Sequence, residues 1–520
     1  MYSTRWRRLR LLAILTLASF NAAFAADLCS ACHAKEVRAY QQTAMAKSTS
    51  RQMGPASGSF RHEHSGTSFT IRTLKGELRQ QLKRNGIESE FPVAWVIGSG
   101  TNAFSYVIDI DGHLFQSPVS YYSKKKLWDV APGYESDDNP DFTRPITMEC
   151  LVCHSGRPLP VEGTLNRYEN PAFAEEGISC ERCHGPVEEH LKRPSAATII
   201  NPKRLAPRAR DSVCEQCHLG GEARIPNPGR HIADFEPGQN LEDVFSVFVY
   251  QSPVEGGVKV VSHAEQLALS KCSLASAGKL SCGSCHNPHD SSPTSYRAKC
   301  LECHAERLAP AHQASSRDCI SCHMQREPAR DGGHTAFTDH RIPRVPPANK
   351  ASNGSGLKLV PWKPLPPAIA TRNLGLANIV VGERDHNALL MDAGFRLLSG
   401  NDDVWKDDHA VLTALGLVIL RKGRPADAAR YYERALTLAP SYAEYHINAA
   451  TALRAAGETR KAIDHLEKAI EMDPSLEPAY RILADLYAKD RQGPKARETL
   501  QRYLKFNPKS VTVQTLLEER

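Results

Sequence analysis

Seven times between Cys29 and His323 the chain sets two cysteines three positions apart and follows the second directly with histidine. The segments are Cys29/Cys32/His33, Cys150/Cys153/His154, Cys180/Cys183/His184, Cys214/Cys217/His218, Cys282/Cys285/His286, Cys300/Cys303/His304 and Cys319/Cys322/His323. Two thiols at this spacing can add across the two vinyl groups of a haem, and the adjacent histidine then lies under the iron as its proximal ligand. At this chain's composition about 0.02 such matches are expected by chance, so seven are not accidental. Zinc ribbons use paired Cys-x-x-Cys knuckles without requiring histidine after each pair. Disulfides do not require it either. The pattern therefore implies seven covalent c-type haems and an iron at each. Cys272 is the one cysteine outside the motifs; a small buried thiol is the favoured reading, and a thiolate haem ligand or a reactive group beside a haem are the others.

An iron with two strong protein ligands shuttles electrons, whereas one with an open position can bind and transform a small molecule. Candidate second ligands decide between these roles. Outside the motifs the region offers His62, His64, His113, His190, His231, His263, His289, His312, His334 and His340, with Met45, Met53, Met148 and Met324. Ten histidines for seven irons leave no forced vacancy. The strongest candidates are His190, His263, His289 and His340, followed by His62, His334 and Met45. His190 lies six residues beyond His184, and His289 three beyond His286. Neither has to serve its nearest haem, because in packed arrays a ligand can reach a neighbour. Met45, twelve residues after His33, is expected on the following helix, and methionine ligation would raise that haem's potential.

These motifs need elements to carry them. Residues 1–25 read as a secretory signal: Arg5, Arg7, Arg8 and Arg10, an apolar run from Leu11 to Phe20, then Ala23-Phe24-Ala25. The apolar run is too short to span a bilayer, which points to a periplasmic protein without a membrane span in the mature chain. The formal charge of +7 falls to +3 without those four arginines. Seven haems with ionised propionates bring it to about −4 oxidised and about −11 reduced. A nucleic-acid role has no support from charge.

Residues 26–342 form the expected haem domain, mainly short helices around a core that is mostly porphyrin, with an antiparallel β insert at about 55–148. Asp111-Gly112 between Tyr106–Ile110 and His113–Phe115 is a hairpin signal. Thirteen residues separate His286 from Cys300 and fourteen separate His304 from Cys319, so those haems must lie close together. Residues 343–371 hold seven prolines and Asn353-Gly354-Ser355-Gly356, the composition of a semi-extended linker. From 372 to 520 the chain repeats. Pro440, Pro474 and Pro508 are 34 residues apart; Gly416, Ala450 and Ala484 share one phase, and Ala428, Ala462 and Ala496 another. This is the tetratricopeptide (TPR) period, giving repeats at 407–440, 441–474 and 475–508, a degenerate lead-in from Asn373 to Ser399, and a cap at 509–520. The fold class expected is mainly α: a multihaem domain with a small β insert, then an α-solenoid.

Three segments carry a resemblance: Cys29-Ser30-Ala31-Cys32-His33 with Tyr40–Met45, Cys180-Glu181-Arg182-Cys183-His184-Gly185-Pro186 with His190, and Cys282-Gly283-Ser284-Cys285-His286-Asn287-Pro288-His289. They resemble the multihaem cytochrome superfamily of nitrifier tetrahaem carriers, pentahaem nitrite reductase and octahaem hydroxylamine oxidoreductase, in the branch joined to C-terminal TPRs. The resemblance implies haem-pair packing, bis-histidine ligation for most irons, and room for nitrogen-oxide or sulfur-oxyanion chemistry. Pentahaem nitrite reductase usually carries lysine in place of the motif histidine at its catalytic haem, and all seven motifs here end in histidine. Hydroxylamine oxidoreductase has eight haems and a tyrosine cross-link, against seven motifs here and no assignable tyrosine. The expectation is an electron-transfer chain of seven haems whose redox partner docks on the TPR face. The runner-up is a terminal reductase of a small nitrogen or sulfur oxyanion at one open haem.

Overall fold

The computed structural model describes residues 25–251, 257–290, 295–305, 318–344, 358–400 and 404–519. The leader expected over 1–25 lies almost wholly outside these residues, as do His312 and most of the Gly-Ser-rich part of the expected linker. Among the described residues no helix is long and apolar enough to cross a membrane.

The β insert is larger than its sequence suggests. Strands Gly58–His62, Thr67–Leu74, Glu77–Arg84 and Ile87–Pro92 form an antiparallel meander. A second sheet is built on Trp95–Ile97, Ala103–Ile110 and His113–Tyr122 and is edged by Thr49–Ser50, Arg144–Pro145 and Leu127–Val130. Three two-residue turns set the hairpins. Lys75-Gly76, Asn85-Gly86 and Asp111-Gly112 each place both residues at positive φ, from 52° to 85°, which matches the strand twist. Alternation puts Phe69, Ile71, Leu82, Phe91, Val96, Tyr106, Ile108, Phe115 and Phe142 into one core shared by both sheets. Helix makes up 44% of the structure and strand 20%, so the expectation of a mainly α fold holds for the repeats and not for this part.

The expected linker is also partly structured. Leu359–Pro361 pairs with Phe245–Tyr250, which pairs with Ala223–Pro226. Pro367 opens the helix Pro367–Arg384, since a missing N–H costs nothing in a first turn. That helix and Ala388–Ser399 form the lead-in hairpin. A Cβ on Gly394 would sit 2.5 Å from the Gly375 oxygen, so glycine allows the two backbones to meet. The hairpins His409–Arg421/Pro425–Leu438, Ala443–Ala455/Thr459–Met472 and Glu477–Lys489/Gly493–Phe506 follow, then the cap Val511–Glu518.

The stack is fastened at both ends. At the first hairpin, Arg372 donates to the Pro226 oxygen at 2.8 Å, and Asn373 donates to Asn227 and Ser246 at 3.0 and 2.9 Å. At the last, Lys509 donates to the Glu90 oxygen at 2.6 Å, Thr512 donates to Asp141, and Val511 enters the β core. Between them Asp473, 0% exposed, accepts from the Leu165 N–H at 3.1 Å and from Ser475, and lies 3.4 Å from the buried His113 ring. Burial pushes the Asp473 carboxyl up, but His113, Ser475 and Leu165 outweigh it and hold it below the ordinary range. Removing one partner of such a buried set strands the others. Asp473→Ala is expected to cost about 3–5 kcal/mol in denaturant unfolding of the holoprotein. A loss under about 1 kcal/mol would show that the set adds nothing.

Glu477 sits at the same junction with the opposite shift. Burial and the Asp141 charge raise its carboxyl to about 7. A carboxyl raised in the folded state adds stability below its unfolded value and loses it as pH rises through the folded one. The holoprotein is expected to be less stable at about pH 8.5 than at about pH 5.5, and Glu477→Gln to remove roughly 2 kcal/mol of that difference. Equal pH dependence in wild type and variant would refute the assignment.

Candidate haem sites

Each attachment segment sits on or beside a short helix: Ala25–Tyr40, Met148–His154, Glu181–His184, Pro207–His218, Cys282–Cys285, Tyr296–His304 and Ile320–His323. Helical spacing puts the two thiols of each segment on one face, one turn apart. Four of these helices bury no side chain against protein, in contrast with the TPR helices. None of the fifteen cysteines is in a disulfide.

The attachment thiols are not equally enclosed by protein. Ten of the fourteen are partly buried, whereas Cys32, Cys150, Cys303 and Cys322 are exposed. Cys303 and Cys322 are the second thiols of the sixth and seventh motifs. The cause is local. The helices Tyr296–His304 and Ile320–His323 bury nothing against protein, so only the first thiol of each, Cys300 and Cys319, is screened, and those two contact one another. Cys303 has Cys272 nearby, and the Ser321 hydroxyl lies 3.8 Å from Cys322 Sγ. Exposed thiols are accessible to a haem vinyl group, so their placement still fits attachment.

The histidines come together in facing pairs. His33 and His190 have ring centroids 6.4 Å apart and His184 and His289 5.8 Å apart, each with planes 22° from parallel. His286 and His340 are separated by 6.2 Å, and His218 and His263 by 5.5 Å at right angles. A metal–imidazole bond is about 2 Å, so two rings sharing one axial iron have centroids roughly 6 Å apart. These donor pairs fit a bis-histidine haem iron. Their second nitrogens fit it too. His184 Nδ1 lies 2.8 Å from the Ile200 oxygen, His190 Nδ1 3.2 Å from Ser195, His340 Nδ1 2.9 Å from Thr338 and His323 Nδ1 3.0 Å from Pro343. Donation from Nδ1–H leaves Nε2 as the basic nitrogen. Desolvation lowers His218, His286 and His340 from the ordinary imidazole range, and for His218 and His286 neighbouring histidines add to it. It pushes His263 down to about 3, with help from His340, His218 and His286. The neutral ring is the form that ligates.

Three weaker candidates are placed elsewhere. His62 is a satisfied core histidine of the meander, with Ser65 Oγ 2.8 Å from Nδ1 and the Glu135 oxygen 3.1 Å from Nε2. His334 is held by Asp129 at 2.6 Å and packs on Tyr122. Among the described residues neither faces a motif histidine. Met45 lies in the turns after the helix Ala25–Tyr40, not on a following helix. His231 pairs with Glu149, one residue before Cys150, and that bond, against some burial, lowers Glu149 to about 2. Among the described residues no histidine ring faces His154. Its backbone oxygen accepts from Ser48 at 2.6 Å and Thr49 at 2.8 Å. The segment after His304, with His312, lies outside the described residues.

Some site residues carry no signal in sequence. Arg224 donates to Cys153 Sγ at 3.4 Å and to the Gln216 oxygen at 3.2 Å. Arg182, inside the third motif, donates to the Val152 oxygen at 2.7 Å. Tyr40 donates to the Ile178 oxygen at 2.7 Å, with its ring edge toward His289. Cys272 is half-buried, and burial raises its thiol.

Comparisons with known proteins match two parts of the chain. Residues 124–185 match the family model for cytochrome c554 and c-prime. Residues 407–475 and 453–519 match tetratricopeptide repeat models. The multiheme cytochrome MtrA of Shewanella baltica is 29% identical over 183 residues, covering 31% of this chain and 53% of that protein. The TPR repeat-containing thioredoxin TTL4 of Arabidopsis thaliana is 36% identical over 93 residues, covering 18% of this chain and 14% of that one. The chain thus spans about half the length of the first relative and a smaller share of the second. A crystal structure of MamA covers 24% of this chain and 74% of its own, at 23% identity and a TM-score of 0.23.

Proposed function

Taking the chain as a multihaem cytochrome joined to C-terminal TPR repeats, we propose that it carries seven covalent haems and passes electrons along them outside the cytoplasm, in the periplasm. The facing histidine pairs carry this reading. In it His33 and His190 hold one iron, His184 and His289 a second, His218 and His263 a third, and His286 and His340 a fourth. Each thiol pair anchors its haem, and the reading extends to the fifth and sixth attachment pairs, Cys282/Cys285 and Cys300/Cys303, and to Cys319/Cys322. The leader composition supports export, and cytochrome maturation on exported thiols agrees with fifteen unbridged cysteines. The repeats supply a surface for a redox partner protein. Because the stack is fastened to the haem region at both ends, a partner bound there is held at a set distance from the haems.

A second reading, reduction of a nitrogen or sulfur oxyanion, is favoured by one observation. His154 has no histidine facing it among the described residues, while Arg224 and Arg182 reach its segment. An iron there with an open position would bind the oxyanion, with guanidinium groups nearby for charge stabilisation.

The ferric spectrum of the holoprotein separates the two. A carrier is expected to show low-spin iron throughout, with seven haems by intact mass. One high-spin iron per chain whose signal shifts with nitrite, hydroxylamine or sulfite would replace the carrier reading with the reductase one. The ligand pairs have their own check. His289→Met is expected to raise one haem potential and leave seven haems attached, since methionine ligation raises the potential. An unchanged redox titration would remove His289 from the ligand set.

A further inference from the structure

Arg224 stands on the strand Ala223–Pro226, opposite Val247, and its half-buried side chain lies over the Phe245 ring. Its guanidinium is directed at carbonyls and a sulfur. Nε and Nη2 donate to the Leu219 oxygen at 3.1 and 2.6 Å, and Nη1 donates to the Gln216 oxygen at 3.2 Å. Those two oxygens flank the fourth attachment site, since Gln216 precedes Cys217 and Leu219 follows His218. The same Nη1 donates to Sγ of Cys153, the second thiol of the second motif, at 3.4 Å. One guanidinium therefore borders two haem sites. The two sites are themselves adjacent: Cys153 Sγ donates to the Gln216 oxygen at 3.6 Å, and Cys217 Sγ to the Val152 oxygen at 3.9 Å.

The charge on Arg224 is not cancelled locally. Other arginines of the haem region face carboxylates: Arg208 meets Glu215 and Glu242, Arg210 meets Asp211, and Arg341 meets Asp339. Among the described residues no carboxylate forms an ion pair with Arg224. Arg182 is in the same state, and its bond to the Val152 oxygen puts a second uncancelled guanidinium beside the second site. A guanidinium stays charged at any working pH. Reduction adds one negative charge to a haem, so a fixed positive charge at its edge favours the ferrous form and raises its potential. Haem attachment turns Cys153 Sγ into a thioether at the macrocycle edge, and a donor on that sulfur draws electron density in the same direction. Resting on the seven-haem reading, we propose that Arg224 sets the potentials of the second and fourth haems together, holding both above the value their ligands alone would give. Electrons entering the array then collect at this pair, beside His154, the motif histidine that no described histidine faces.

The test is a redox titration of the full-length holoprotein followed by electron paramagnetic resonance, with haems counted by intact mass. Arg224→Gln is expected to keep seven haems and to move two of the seven midpoint potentials downward by more than the other five. Arg224→Lys keeps the charge without the forked geometry, and is expected to leave those two near their unmodified values. Arg224 also caps the last carbonyls of the helix Pro207–His218. That role alone predicts lower stability in both variants and no selective change of potential. Seven unmoved potentials in Arg224→Gln, a fall confined to one haem, or an equal fall in Arg224→Lys overturns the proposal. If Arg224→Gln does not assemble, Arg224→Lys decides: unmoved potentials support the role of charge, and lowered ones overturn it. Fewer than seven haems in the unmodified chain overturn the reading beneath it instead.

Discussion

Two imidazole rings about 6 Å apart, supplied by segments far apart in sequence, are the constraint on which the haem region depends. His33 faces His190, which follows the third motif, and His184 faces His289, which follows the fifth. His286 faces His340, beyond the seventh. Each pair ties its own helix to a stretch of chain that belongs to another site. Short helices that bury nothing against protein have little stability of their own. In the proposed reading an iron shared by two such rings would staple distant segments and supply what local packing does not, through the same loop-closure argument that applies to any cross-link. The motifs thus reinforce one another, and the order of motifs along the chain is not the order of sites in space.

That difference marks what the sequence could and could not reveal. The attachment motifs were legible because chemistry dictates their spacing. How deeply each thiol sits was not, since Cys303 and Cys217 occupy the same motif position and only the fold leaves one exposed and encloses the other. The repeats were legible because one unit recurs with small residues at each helix crossing, as at Gly416 against Tyr432. Asp111-Gly112 announced its hairpin, and Asn85-Gly86 carried the same signal. Lys75-Gly76 did not, because lysine at positive φ is tolerated only where the strands on either side enforce it. The pairing of histidines was beyond reach. His62 and His190 are the same residue type in polar surroundings, and only the fold shows that Ser65 and Glu135 satisfy one while the other faces His33. The linker misled for a related reason. Seven prolines suggested an extended stretch, yet Leu359–Pro361 is an edge strand, a position where proline is allowed.

The double attachment of the repeat stack changes how docking on it would work. A solenoid tethered by a free linker samples many positions, and its partner would approach the haems over a broad range of distances. Here the first hairpin is built into the three-stranded sheet and the cap into the β core, with Asp473 holding the middle. Electron tunnelling falls steeply with distance, so if a redox partner docks on the repeats as proposed, a fixed scaffold would convert that binding directly into a competent donor–acceptor geometry. Stiffness of this kind lowers the ordering cost that a partner would otherwise meet on binding.

The charges at that attachment point to a further consequence of the fold. Asp473 is held ionised by donors from three segments, whereas Glu477 and Asp141 lie in one buried region where burial raises both carboxyls. Two carboxylates near each other in low dielectric resist ionising together. One end of the stack is therefore more firmly seated in acid than in base, while the other end is held by Arg372 and Asn373 on the Pro226 oxygen, Asn227 and Ser246, contacts without a carboxylate. If the cap loosens first as pH rises, the repeats open from the β side and remain attached on the haem side. The partner surface would then change shape before the haem sites lose any ligand. Fold and redox array would in that way respond to pH separately, although they share one chain.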